Sequence, residues 1–182
     1  MSKYGIIVGS LRKNSFTLGV AEALVAGLPE DSEVTFINIA DLPLYNQDYD
    51  ADSPKIYTDF RETIAKQDAI IFATPEHNRS VPAALKNAID IASRPWGENV
   101  WAQKPALVAS QSIAGIGGAV ANHVLRNSLD FLDMIVMHQP ELYIGNTPSL
   151  SDENGKITNV DTQAFLKDAG MKFADFTKRV LG

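Results

Sequence analysis

The seven residues Asp68–Thr74, "DAIIFAT", constrain the fold more than any other stretch, because every position from Ala69 to Ala73 is apolar. A strand with one wet face alternates polar and apolar residues, whereas a strand with no polar face needs cover on both sides. Tyr4–Val8 and "KPALVAS" at 104–110 are runs of the same kind. Weaker strand signals lie in "SEVTFINI", where Val34, Phe36 and Ile39 alternate loosely, and in the short "DMIVM" at 133–137.

Between these runs the apolar residues recur at helical spacing. Leu18, Ala21, Leu24, Val25 and Leu28 predict a helix over Ser15–Leu28 that stops at Pro29. Ile56, Phe60, Ile64 and Ala65 predict one over Lys55–Gln67, and Leu85, Ala88, Ile89 and Ala92 one over Ala83–Ala92. Ala119–Phe131 forms the next. Phe165, Ala169, Phe173, Phe176 and Val180 lay an apolar side along the last, Asp161–Val180. Strands separated by helices of this length predict an α/β fold, a parallel sheet covered on both faces, with "ADLPLYNQDYDADSP" as a loop. A chain of 182 residues suits a single domain, 1–182.

Composition removes whole classes of function. Without a cysteine there is no disulfide, no thiolate nucleophile and no thiolate metal site. With 22 acidic against 16 basic side chains, the net charge of −6 gives no broad footprint for nucleic acid or anionic lipid. No window approaches the length of a membrane span, and "MSKYGIIVGS" lacks a signal-type apolar core, so a cytoplasmic protein is expected.

In a parallel sheet of this kind, ligands bind past the carboxyl ends of the strands. Three irregular segments follow three strands there. "GSLRKNS" at 9–15 turns tightly at Gly9, offers the Ser10 and Ser15 hydroxyls, and opens a helix whose first amides are unpaired, which together suit an anion that Arg12 would grip. Alone, it reads better as a surface turn whose Ser15 merely caps the helix. It is neither a P-loop nor G-x-G-x-x-G, so a single phosphate fits better than a triphosphate.

The second segment, "PEHNRSVP" at 75–82, is stiffened by Pro75 and Pro82 and presents Asn78 as donor and acceptor to a ring edge. Glu76 is weighted toward capping a neighbouring amide rather than acting as a base. His77 has no metal-ligand spacing with His123 or His138 and reads as a pocket wall or partner contact. The third, "ASQSIAGIGGAV" at 109–120, combines Ser110 and Ser112 with Gly115, Gly117 and Gly118, which permit either a flat ligand or a closely packed helix. No G-x-S-x-G elbow supports a serine hydrolase.

At these residues the chain resembles the NADPH-dependent FMN reductase family, through "GSLRKNS" (9–15), "TPEHNRSVPAALKNAID" (74–90), "GIGGA" (115–119) and "LDFLDMIVMHQPELYIG" (129–145). The resemblance implies a flavodoxin-like three-layer sandwich with a five-stranded parallel sheet in the order 2-1-3-4-5. It implies FMN as cofactor and NADPH or NADH as donor, with electrons passed in two steps to quinone, azo, metal-oxyanion or free flavin acceptors. Ser10, Arg12 and Ser15 would hold the phosphate with Thr17 close by. Pro75, Glu76, His77 and Asn78 would line the isoalloxazine, with Ser110 and Gly115–Gly118 on its other side. No residue is assigned as a catalytic acid or base.

The chain departs from the family where Thr17 replaces a common Asn, and where His77 and Arg79 replace common tyrosines. The first changes the hydrogen-bond set, and His77 and Arg79 predict a more polar and more positive pocket mouth. A homodimer or homotetramer is also implied, with Arg126 and Glu141 at a subunit boundary and some of Leu125, Leu129, Phe131 and Leu132 in the core. A flavodoxin-like electron carrier, or a flavin-dependent interaction module, without efficient nicotinamide oxidation is the rival reading.

Overall fold

The computed structural model describes residues 1–182. Its strands are β1 (Lys3–Val8), β2 (Glu33–Phe36), β3 (Ala69–Pro75), β4 (Pro105–Gln111), β5 (Ile135–Val136) and β6 (Leu142–Ile144). Its helices are α1 (Phe16–Val25), α2 (Lys55–Ala65), α3 (Ala83–Ala92), α4 (Ala119–Phe131), α5 (Thr147–Leu150) and α6 (Val160–Leu181). The strands pair in the order β2-β1-β3-β4-β5, all parallel, with β6 also parallel to β4.

The fifth position of the sheet is therefore shared by two short strands rather than filled by one. β5 pairs with Pro105 and Ala106 at the start of β4, and β6 with Ala109–Gln111 at its end. Between them lies Pro140, which has no N–H to give to a ladder. The "DMIVM" strand expected from the sequence is only the first half of this edge.

Side chains of the inner strands alternate between two cores, as period two requires. Tyr4, Ile6, Ala69, Ile71 and Ala73 pack under α1 and α6 with Val20, Leu24, Leu166 and Phe173. Ile7, Ile70 and Phe72 face α2, α3 and α4, among Phe60, Ile64, Leu85, Leu125 and Leu129. Trp101 is fully buried there, its ring centroid 5.7 Å from that of Phe72 and its Nε1 donating to the Ile89 carbonyl at 3.0 Å. Leu125, Leu129 and Leu132 are core, whereas Phe131 is 79% exposed.

The apolar side expected for α6 is displaced around the helix. Its buried face is Leu166, Ala169, Gly170, Phe173, Ala174 and Thr177, while Phe165 is exposed. The cause is backbone contact with α1 at glycine: a Cβ on Gly170 would meet the Leu24 carbonyl oxygen at 2.1 Å, and one on Gly27 the Lys167 oxygen at 2.0 Å. Glycine pairs that set a helix crossing carry no hydrophobic signal, so periodicity alone misplaces the stripe. Likewise, β2 is an edge strand that leaves Phe36 exposed, and the chain beyond it buries Ile37 and Ile39.

Candidate functional site

At the carboxyl end of β1, Gly9 donates its amide to the Ala73 carbonyl at 2.8 Å and the chain then leaves the sheet. Ser15 caps α1, its Oγ accepting from the Leu18 amide at 3.1 Å. None of the amides of residues 10–17 donates to a backbone carbonyl, and only that of Arg12 reaches a side chain, Ser10 Oγ at 3.4 Å. A turn of unspent amides at a helix N-terminus is an anion cradle. No acidic residue occupies the first turn of α1 to neutralise it. The exposed Arg12 adds positive charge, its guanidinium 5.8 Å from the centroid of the Phe16 ring.

This turn forms one end of a cleft of about 470 Å³. Gly9, Ser10, Arg12, Ser15 and Phe16 come from the first segment, Pro75, His77 and Pro82–Ala84 from the second, and Gln111 and Ile113 from the third. The segments expected to share a ligand thus meet at one edge of the sheet. The lining contains an anion cradle at one end and flat apolar or stiff surfaces at the other, a donor set that suits a phosphate monoester of a planar group.

The remaining candidate residues lie behind this wall. Thr17 is fully buried, its Oγ1 accepting from Gln111 Nε2 at 2.8 Å. Ser110 is buried and donates to the Gly117 carbonyl at 2.8 Å, which holds the third segment in place. Gly117 and Gly118 have φ of +64° and +72°, and a Cβ on either would strike backbone, of Tyr143 in one case and Gln111 in the other. Their requirement is conformational and packing-driven. Gly115 has no such constraint, the nearest atom to its would-be Cβ being 3.9 Å away.

Glu76 braces the second segment against the third. One oxygen accepts from the Val120 and Ala121 amides at 3.1 and 3.2 Å, at the start of α4, and the other accepts from Arg79 at 2.8 Å. His77 and Ser80 exchange both backbone bonds around Asn78 and Arg79, which have φ of +49° and +61°. That pattern is a two-residue turn of type I′. Arg79 does not line the cleft and its charge is offset by Glu76, so the positive mouth expected from the sequence rests on Arg12 and not on Arg79.

Phe16, Gln111 and Ile113 were not among the expected lining. Ile113 is 71% exposed, and an apolar residue inside a Gly/Ser-rich segment is the signal that marks it. Gln111 carried no such signal, since strand ends commonly bear polar residues.

A second polar group lies away from the cleft. Tyr143 donates to Glu141 Oε1 at 3.0 Å and sits 3.2 Å from His123 Nε2; burial, then its bond to Glu141, raises its pKa. Arg126 donates to Asn122 Oδ1 and the Met137 carbonyl rather than to Glu141, and burial lowers its pKa.

Comparison with known proteins agrees with the geometry. The family model for NADPH-dependent FMN reductase matches residues 2–149. A quinone reductase of Pseudomonas putida is 49% identical over 174 residues, covering 95% of this chain and 93% of its own. A 2-hydroxy-1,4-benzoquinone reductase of Burkholderia sp is 43% identical over 176 residues, covering 97% and 96%. Among solved structures, the flavoenzyme NAD(P)H:(acceptor) oxidoreductase FerB of Paracoccus denitrificans superposes with a TM-score of 0.89 at 36% identity, covering 98% of both chains. The fold is that of the flavodoxin-like α/β proteins. The chain belongs to the NADPH-dependent FMN reductase family.

Proposed function

We propose that this protein is an FMN-dependent NAD(P)H oxidoreductase that passes electrons from reduced nicotinamide to a quinone in two successive half-reactions at one face of the cleft. The observation that carries this reading is the meeting of three segments around one cleft, with the unspent amides of residues 10–17 at one end. The names of the full-length relatives support the quinone as acceptor.

Ser10, Arg12, Ser15 and the adjacent amides would hold the phosphate of FMN, whose doubly charged oxygens match the donor excess there. Pro75, His77, Gln111 and Ile113 would flank the ring. The chemistry the flavin supplies when bound is acceptance of a hydride from nicotinamide and delivery of two electrons to an acceptor. The chain's part is to position: Glu76 fixes the second segment to α4, and the two prolines limit what must be ordered on binding. Proton balance for a quinone needs no dedicated side chain, because the cleft opens to water. The same open face would admit azo compounds, metal oxyanions and free flavin as acceptors of the second half-reaction.

Anaerobic mixing of the FMN-loaded protein with NADH or NADPH tests the reading. Rapid bleaching of the yellow flavin, followed by its return on adding a quinone and by parallel double-reciprocal plots, is expected. Protein that fails to take up FMN would overturn it outright, and flavin that bleaches far too slowly for turnover would overturn it in favour of a simple carrier.

A further inference from the structure

Beyond α5 the chain makes a tight turn, Asp152–Lys156, and seats it against the start of α1. The turn is rooted in the core, because Ser151 and Ile157 bridge at its base and Ile157 is buried beneath α1 and α6. Asp152 braces it. Its carbonyl accepts from the Gly155 amide at 3.0 Å, its amide donates to the Lys156 carbonyl at 2.9 Å, and its Oδ1 accepts from the Asn154 and Lys156 amides at 2.9 and 3.0 Å.

Two glycines bring this turn against the cradle with no side chain between. A Cβ on Gly19 would strike the Gly155 carbonyl oxygen, and one on Gly155, whose φ is +80°, would lie 2.5 Å from the Asn14 oxygen and 2.9 Å from its carbonyl carbon. Glycine inside a helix is destabilising, so the close approach is what Gly19 serves. Asn14 is itself left-handed, with φ of +52°, a conformation few non-glycine residues adopt. Gly155 therefore packs on the carbonyl side of the peptide that joins Asn14 to Ser15. That peptide is trans, so the Ser15 N–H leaves it on the opposite side, away from the turn. The Ser15 amide has no acceptor in the protein, and Ser15 itself lines the cleft.

We propose that Gly155 is a positioning residue for the cofactor phosphate: the turn that carries it fixes the Asn14–Ser15 peptide and so keeps the Ser15 amide aimed into the cradle before the ligand arrives. This rests on the FMN reading above. A donor ordered in advance costs nothing further to order on binding, and the benefit reaches only a ligand that carries the phosphate. A turn whose role was only to stabilise the fold would treat FMN and riboflavin, which lacks the phosphate, alike.

The test is equilibrium titration of the flavin-free, full-length protein with FMN and with riboflavin, followed by flavin fluorescence. Gly155→Ala forces the turn away from Asn14; it raises the Kd for FMN about tenfold, the worth of one hydrogen bond to a charged group, and changes that for riboflavin by less than about twofold. Asp152→Ala unbraces the turn without adding an atom to the contact and gives an FMN-only loss of about threefold, while Asp152→Asn, whose side-chain oxygen still accepts, keeps the wild-type preference. Gly170→Ala disturbs α1 at Leu24, away from the turn, and leaves the preference for FMN over riboflavin unchanged. Equal losses for both flavins in Gly155→Ala, or an FMN-selective loss of the same size in Gly170→Ala, would overturn the proposal. Should Gly155→Ala fail to fold, the Asp152 pair decides, and an Asp152→Ala protein with the wild-type preference is the contrary result. A wild type that binds neither flavin, or binds FMN no better than riboflavin, removes the phosphate reading itself, whereas a wild type that prefers FMN beside variants that prefer it equally removes only this inference.

Discussion

Glu76 and Arg79 form an ion pair at 2.8 Å on one side of the cleft, and the second oxygen of the same carboxylate caps α4 through Val120 and Ala121. The side chain of Glu76 is only 10% exposed while that of Arg79 is 67% exposed, so the two partners contribute unequally. Removing the arginine costs little, as for most exposed pairs. Removing the carboxylate unties two segments and leaves two helix-start amides without their partner.

Glu76→Ala is accordingly expected to lower unfolding free energy by about 2 kcal/mol, and Glu76→Gln by about 1 kcal/mol, since the amide oxygen still accepts but without charge at the helix start. Urea denaturation checks both. A loss in Arg79→Ala as large as that in Glu76→Ala would contradict the asymmetry.

The same pairing bears on acceptor choice. Because Glu76 offsets Arg79, Arg79→Ala is expected to change turnover of anionic quinones only slightly more than that of neutral ones, while Glu76→Gln, which releases the arginine's charge, lowers KM for the anionic class selectively. Steady-state comparison of the two quinone classes at low and moderate salt reads this out. Equal changes for both classes in Glu76→Gln would remove the electrostatic account.

Arg12 is the one cation that lines the cleft. Arg12→Ala is expected to weaken FMN by about 1.5–3 kcal/mol, the range for a hydrogen bond to a charged group. The effect lies in cofactor retention, so kcat at saturating FMN stays near that of the wild type. Unchanged affinity in a fluorescence titration would show that the phosphate sits elsewhere.

How much of this was legible in the sequence depended on what kind of interaction fixed each part. The three apolar strands and the segments after them could be read because an all-apolar strand has one solution, burial on both faces, and that places the segments on a common edge. The split fifth strand was half visible, since "ELYIG" beyond Pro140 is too short to show alternation and is recruited only by the ladder it makes with Ala109–Gln111. The stripe of α6 was misread because Gly170 and Gly27 set the contact with α1 through backbone, which hydrophobicity does not register. Gln111 was missed because the hydrogen bonds that fix its side chain run to Thr17 and Thr147, 94 and 36 residues away. Resemblance put Thr17 near the phosphate, but not the amide behind it.

The α1–α6 crossing gives a stability prediction that involves no ligand. At Gly170 a methyl group would sit 2.1 Å from the Leu24 oxygen, an atom held by the backbone of a buried helix and unable to yield. Gly170→Ala should therefore destabilise by about 3 kcal/mol through overpacking, despite the better helix propensity of alanine. Thermal melting compares it with Gly97→Ala, where no atom lies within 4 Å and only the left-handed φ of +91° is strained. A Gly170→Ala protein as stable as the wild type would mean the two helices sit farther apart.

Lys104 supplies the pH dependence. Its Nζ donates to the carbonyls of Ala65 and Gln67 at 3.2 and 2.5 Å, and burial lowers its pKa, with Asp68 acting weakly in the other direction. The folded state thus holds this proton less tightly than the unfolded chain does. Between the lowered folded value and the ordinary lysine value, the unfolded chain binds more protons, so this group makes stability rise with pH. The buried tyrosines oppose it: burial raises the pKa of Tyr4 and Tyr57, and each withdraws stability as pH climbs above the ordinary tyrosine value. The difference between wild type and Lys104→Met isolates the lysine, because the tyrosines are common to both. Urea midpoints taken from pH 7 to 10 should show the wild type gaining on Lys104→Met as pH increases, and a constant difference would show that the Lys104 proton is held equally in both states.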